Sequence, residues 1–233
     1  MKVILKGIVG STAYGLDHGG SDIDHMGVFA APMEQILGLG TVQESVVTHD
    51  PDTTMHEAKK FVTLCLNGNP SVSELLWLDR YEGIGEAGWA LISLRRSFLS
   101  ARRVRDSYLG YATSQFQRLE RRGDGSFSAD TRKRTEKHAR HLVRLVEQGY
   151  HLYRSGELIV DLRSSASEIA PEAVFEMGSL IAADPERGLA YMDRARERFD
   201  RAKAAVPEEP DRAAVEAWLL AVRREGMGLG WSL

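Results

Sequence analysis

Asp22 and Asp24 stand eleven and thirteen residues after Ser11 of the pair Gly10-Ser11. Alternate positions of a strand share a face, so a strand here aims both carboxylates the same way and turns Ile23 to the core. Carboxylates held that close repel, and a bound cation or a raised pKa compensates. A hard divalent cation such as Mg²⁺, with Mn²⁺ as the alternate, takes oxygen ligands and keeps water and substrate phosphates in its remaining positions. The Gly-Ser turn offers backbone N–H groups and a hydroxyl to a phosphate, because glycine permits close approach. Those parts describe phosphoryl or nucleotidyl transfer, where positioning and charge neutralisation supply most of the catalysis. Asp-x-Asp alone recurs by chance, and Asp22 also suits a capping role after Gly19-Gly20-Ser21. The ordered combination carries the weight.

Other residues have the right chemistry with a plainer alternative beside it. Lys137, His141 and Arg144 are spaced to share a helix face, with His138 next to them. This stripe suits a triphosphate or an RNA backbone, surface packing, or, through His138 and His141, a metal that lacks further nearby ligands. Tyr14 either stacks on a base or packs its loop. Lys59 and Lys60 reach phosphates or are simply solvated. The clusters Arg95-Arg96, Arg102-Arg103-Arg105, Arg121-Arg122 and Arg132-Lys133-Arg134 suit a nucleic-acid backbone, without any visible base-reading module. Cys65 lies in the apolar run from Phe61 to Leu66 and reads as a buried structural thiol.

The elements that must position these groups follow from periodicity. Residues 2–9 read as a buried strand, and 22–29 alternate like a second one. A third strand or hairpin edge is expected over 42–48. Residues 53–66 begin extended and turn helical, with Ala58, Phe61, Val62 and Cys65 on one face. Asn67-Gly68-Asn69-Pro70 stops that helix, and a short apolar turn follows at 74–78. Helices are expected at 88–105, 107–122, 129–155, 171–182, 186–205 and 211–225, with Gly123-Asp124-Gly125 separating the second from the third. The fold class is thus α+β: a small mixed-sheet domain over 1–84 and an all-helical domain over 85–233.

Composition limits the classes. The chain has 233 residues and a net charge of −3, spread unevenly. Residues 1–94 carry −7 (5 Lys/Arg, 12 Asp/Glu), 95–155 carry +9 (15 and 6), and 156–233 carry −5 (10 and 15). An acidic front and a basic middle suit cation binding in one part and polyphosphate or nucleic acid in another. No stretch has the roughly 18 apolar residues of a membrane span. One cysteine permits no internal disulfide and fits a cytoplasmic setting.

Gly10-Ser11-Thr12-Ala13-Tyr14-Gly15 followed by Ser21-Asp22-Ile23-Asp24-His25-Met26-Gly27-Val28-Phe29 resembles the signature of the DNA polymerase beta-like nucleotidyltransferases. Within that superfamily the chain is most similar to the RlaP-type family linked to RNA repair. Glu57 to Phe61, Gly68 to Leu76, Lys137 to Leu145 and Gly156 to Leu158 continue the resemblance in order. The resemblance implies that Gly10 and Ser11 form a triphosphate-binding turn and that Asp22 and Asp24 are bridging ligands of two Mg²⁺ ions. It also implies a third carboxylate on a later strand that serves the attacking hydroxyl. Glu57 is the candidate, with Asp50 and Asp52 as rivals. Tyr14, Lys137, His141 and Arg144 complete the expected nucleotide site.

The expected reaction moves a nucleoside monophosphate from a nucleoside triphosphate, ATP among them, to a hydroxyl or phosphate acceptor, RNA foremost. The alternatives are adenylylation of a small molecule or protein, and non-catalytic nucleotide or RNA binding on the same fold. Acceptor, preferred nucleotide and oligomeric state are not written in the motifs.

Overall fold

A computed structural model describes residues 1–17, 22–120 and 129–231, with side chains described from 1–17, 22–119 and 134–231. The chain opens with β1 (Lys2–Val9), α1 (Gly10–Tyr14), β2 (Asp24–Ala30), α2 (Met33–Leu37), β3 (Ser45–His49) and β4 (Asp52–Glu57). Then come α3 (Ala58–Leu66), α4 (Pro70–Ser73), a 3₁₀ turn (Glu74–Trp77), β5 (Gly83–Ile84), α5 (Glu86–Ser93) and a second 3₁₀ turn (Arg95–Phe98). The remainder is helical: α6 (Ala101–Glu120), α7 (Ala129–Ser155), α8 (Pro171–Ala183), α9 (Pro185–Arg201) and α10 (Arg212–Gly226). The class is α+β, as the sequence reading expects.

Five strands form one mixed sheet in the order β3-β4-β2-β1-β5. The central pair β2 and β4 is parallel; the other pairings are antiparallel. A parallel pair needs a crossover, and the chain from α2 through β3 makes it, returning by the Asp50-Pro51 turn into β4.

The chain divides into two compact units, one of residues 1–99 with 209–233 and the other of 100–208. In the first, Leu5, Val28, Ala58, Phe61, Leu75 and Leu91 are fully buried. The last helix belongs here: Val215, Trp218, Ala221 and Val222 recur at helical spacing and are all buried. The Trp218 indole donates to the Ala87 carbonyl at 2.8 Å. In the second unit, Leu142, Val143, Val146, Ile181 and Phe199 form the buried centre, with Tyr150 and Tyr153 edge-on to Phe199.

Three sequence expectations shift. The strand expected from residue 22 begins at Asp24, and Ile23 is 51% exposed instead of facing the core. Val9 pairs with Asp24, and β1 stops there because Gly10 turns the backbone to a φ of +72°, so Ile23 has no ladder partner on that side. The third strand spans Ser45–His49 instead of 42–48. The helix break expected near residue 106 lies at Leu99-Ser100. There Ser100 starts α6 by accepting from Val104 N at 2.8 Å through its carbonyl and from Arg103 N at 3.4 Å through its hydroxyl. Asp106 sits mid-helix and pairs with Arg102 and Arg105 on the surface. Gly123-Asp124-Gly125, Arg121-Arg122 and the Gly19-Gly20-Ser21 turn lie outside the described residues.

Candidate active site

The Gly10-Ser11 pair is where β1 becomes α1. Gly10 has a left-handed φ of +72°, and a Cβ there would stand 2.3 Å from Asp24 Oδ2. Only glycine satisfies both demands. Asp24, the first residue of β2, is thereby held directly against the turn, half-buried beside Val9. Asp22 precedes the strand and is exposed. The five-residue α1 closes at Gly15, also left-handed at φ +70°, and Leu16 N donates to Ser11 O at 2.9 Å.

Tyr14 at the end of α1 is 3% exposed, so its ring has no face to offer a base. Its hydroxyl lies 2.8 and 2.7 Å from the two carboxylate oxygens of buried Glu74. Tyr14 therefore ties α1 to the 3₁₀ turn that follows the Gly68-Asn69-Pro70 motif. That motif acts as a stop and a cap, with Asn69 Oδ1 accepting from Val72 N at 3.1 Å.

The parallel register decides which later acid approaches Asp24. His25 is matched with Thr53 and, at the other end, Phe29 with Glu57. Glu57 is therefore five residues along from Asp24, roughly 16 Å at a strand's rise per residue. It is also engaged: Arg223 of α10 donates to its two oxygens at 2.6 and 3.0 Å, Lys59 N donates at 2.8 Å, and Ala31 N approaches at 3.5 Å. Burial pushes the Glu57 carboxyl upward, but the Arg223 guanidinium and the two backbone N–H groups outweigh it and hold the pKa below the ordinary range. The structure does not bring Glu57 to the Asp22-Asp24 pair. It is the N-cap of α3 and the anchor of α10.

One step back along the same register sets Asp52 beside Asp24, on a neighbouring strand about 4.8 Å away. Residues in register project to the same face, so both carboxylates share a side of the sheet. Asp52 is exposed at the foot of the β3–β4 hairpin, whereas Asp50 is in the turn itself. His25, one residue on from Asp24, faces the other way, its Nδ1 2.8 Å from Glu82 Oε2 with Lys6 at 3.4 Å. Lys60 pairs with Glu44 at 2.9 Å and Lys59 is exposed.

Lys137, His141 and Arg144 lie on α7 of the helical unit. Lys137 is exposed, His141 half-buried and Arg144 3% exposed. Burial, then the positive charges of Arg144, Lys137, His138 and Arg140, lower the His141 pKa to about 3, so the ring is neutral near pH 7. The His138 ring pairs with Gln115 at 2.8 Å instead of joining His141 as a ligand pair.

Among the described residues no three His, Cys, Asp or Glu side chains are gathered as a ready metal cluster. The chemistry of the donors nonetheless fits Mg²⁺: Asp22 and Asp24 offer hard carboxylate oxygens, and the absence of a Cβ at Gly10 lets the Asp24 carboxylate lie against the turn. The remaining positions fall to water and substrate oxygens. No described helix is long and apolar enough to cross a membrane.

No curated protein matches the chain. The model of the RlaP family, described as the RNA repair pathway DNA polymerase beta family, matches residues 1–187, from β1 through the start of α9. With the turn, the Asp22-x-Asp24 pair and the sheet that carries them, this match makes the chain a member of the RlaP family of polymerase beta-like proteins.

Proposed function

We propose that the chain transfers a nucleoside monophosphate from a nucleoside triphosphate to a hydroxyl or phosphate at an RNA end, in the cytoplasm. The observation that carries this reading is the close fit of Gly10 against Asp24; the parallel register that begins at His25 and Thr53, continued by one step, points to Asp52 as the neighbouring acid. Asp22 and Asp24 would hold Mg²⁺, which when bound neutralises charge on the phosphates. The Ser11 hydroxyl and nearby backbone N–H groups hold the β- and γ-phosphates. Asp52 takes the place the sequence reading gave to Glu57: it orients the attacking hydroxyl and accepts its proton. The acceptor oxygen forms a bond to the α-phosphorus, the bond from that phosphorus to the β-bridging oxygen breaks, and pyrophosphate leaves.

The basic stretch 95–155 favours RNA over a small acceptor. Incubation with each labelled nucleoside triphosphate, Mg²⁺ and total RNA tests the reading. The expected outcome is label on RNA from wild type and none from the Asp22→Asn plus Asp24→Asn variant. Label confined to protein or to a small molecule would replace the acceptor. Nucleotide binding with no label transferred anywhere would make the chain a binder.

A further inference from the structure

The hairpin that joins β3 to β4 sets a base opposite an acid at its closed end. His49 and Asp52 face each other directly across the two strands, on either side of the Asp50-Pro51 turn. Both side chains are exposed, and neither makes a hydrogen bond or an ion pair among the described residues. A hairpin closed for stability alone would bring this pair into contact, since opposite charges facing across an antiparallel pair stabilise it. Here the turn is fastened differently: the hydroxyls of Thr48 and Thr53 both donate to the Pro51 carbonyl, at 3.0 and 3.1 Å. The tip is held in place while His49 and Asp52 stay open to solvent.

The sheet gives this pair a direction. Partners in register project to one face, so His49 shares the face of Asp52. The register of β2 and β4, continued one step beyond His25 and Thr53, adds Asp24 to that face. On the far side of β2, Val9 pairs with Asp24 and runs into the Gly10-Ser11 turn. In strand order the row reads Gly10-Ser11, Asp24, Asp52, His49, with neighbouring strands about 4.8 Å apart. In phosphoryl transfer the attacking and leaving oxygens lie roughly in line across the phosphorus. With the β- and γ-phosphates at Gly10-Ser11, pyrophosphate leaves toward β1 and the acceptor must arrive from β4 and β3. Val47, two residues before His49 on the same face, is 54% exposed, so that side of β3 is open. An RNA end arriving there meets Asp50 and Asp52, which repel its phosphates. The one side-chain N–H donor between Thr48 and Thr53 is the His49 imidazole.

We propose that His49 is the acceptor-binding residue of the transfer reaction, its imidazole N–H donating to a phosphodiester oxygen next to the attacking end of the RNA. The contact offsets repulsion by the neighbouring acids and holds the attacking group against Asp52. This deepens the proposed function and rests on its reading of Gly10-Ser11 as the triphosphate side. His49 takes no part in the metal site and forms no bond in the reaction.

Two readouts on the full chain test this contact. One is binding of a fluorescent oligoribonucleotide by anisotropy, without nucleotide. The other is steady-state transfer with Mg²⁺, varying RNA and nucleoside triphosphate in turn. His49→Ala, at an exposed strand end, is expected to weaken RNA binding and raise the RNA KM by about five- to tenfold. The triphosphate KM and kcat should stay at wild-type values, because only binding of the acceptor is lost. His49→Arg, which restores a donor to phosphate, should return the RNA KM toward wild type; a fault in hairpin folding would not be rescued in this way. Unchanged RNA binding and RNA KM in His49→Ala would overturn the assignment. So would a fall in kcat at unchanged RNA KM, which would make His49 a proton carrier. Absence of RNA binding by wild type would overturn it as well. The two failures are distinguishable: a wild type that binds RNA through His49 but transfers no label loses the function and keeps the contact. A wild type that labels RNA no differently from His49→Ala keeps the function and loses the contact.

Discussion

At Gly10 one hydrogen atom separates a working turn from a blocked one. A methyl there meets Asp24 Oδ2 at 2.3 Å in a backbone conformation that penalises any side chain. Gly10→Ala is therefore expected to cost about 1–2 kcal/mol from the left-handed φ alone. Its effect on nucleotide transfer should be far larger, because the Asp24 carboxylate must move. A Tm lowered by a few degrees with activity reduced by at least a hundredfold is the expected result; wild-type activity would show that Asp24 does not need this placement. Tyr14 shows what residue types alone leave open. An aromatic after a phosphate turn reads equally as a base platform or a tether, and only the burial of its ring against Glu74 decides for the tether.

At the scale of elements, periodicity makes β1, α3, α7 and the Asn69-Pro70 cap legible, because each is set by local chemistry. The pairing of β2 with β4 is not local. Asp52 and Glu57 bracket one six-residue strand, and only the register tells which end lies beside Asp24. Glu57 reads as the third acid because it begins a helix after a strand, the very position in which a carboxylate is also a cap. Its partner Arg223 is 166 residues away, beyond any local signal.

The lowered Glu57 pKa has a consequence for stability. A carboxylate depressed by folding contributes fully above its unfolded value near 4.5, and that contribution is lost as the pH falls through the lower folded value. Glu57→Gln should lower stability at neutral pH, by about 1–3 kcal/mol, because the half-buried Arg223 guanidinium loses its counter-charge. It should also flatten the loss of stability below pH 4.5. Urea denaturation of both proteins at pH 7 and at steps below 4.5 measures this, and parallel curves would count against the clasp.

At the scale of the molecule, the chain leaves the sheet unit at residue 100 and returns to it at 209. The sequence reads everything after 85 as one helical run, since periodicity identifies a helix without saying what it covers. Only the burial of Trp218 under the Ala87 carbonyl and the Arg223–Glu57 pair show that α10 completes the first unit. Deleting residues 209–233 strips a fully buried indole and the Glu57 counter-ion from the sheet. The shortened chain is expected to be insoluble or to lose cooperative unfolding of the sheet unit by calorimetry. A truncated protein that melts like the full chain would contradict this assignment of α10.

The central claim, that Asp22, Asp24 and Asp52 form one carboxylate set for nucleotide transfer, rests on the fold's register and is tested most directly by replacing the two rival acids singly. Mg²⁺-dependent incorporation of labelled nucleotide into RNA should fall by about 10²–10⁴-fold in Asp52→Asn, the range for losing a positioned general base. Glu57→Gln, assayed at a temperature where it stays folded, should retain activity within tenfold of wild type. Full activity in Asp52→Asn, together with its loss in folded Glu57→Gln, would contradict the account.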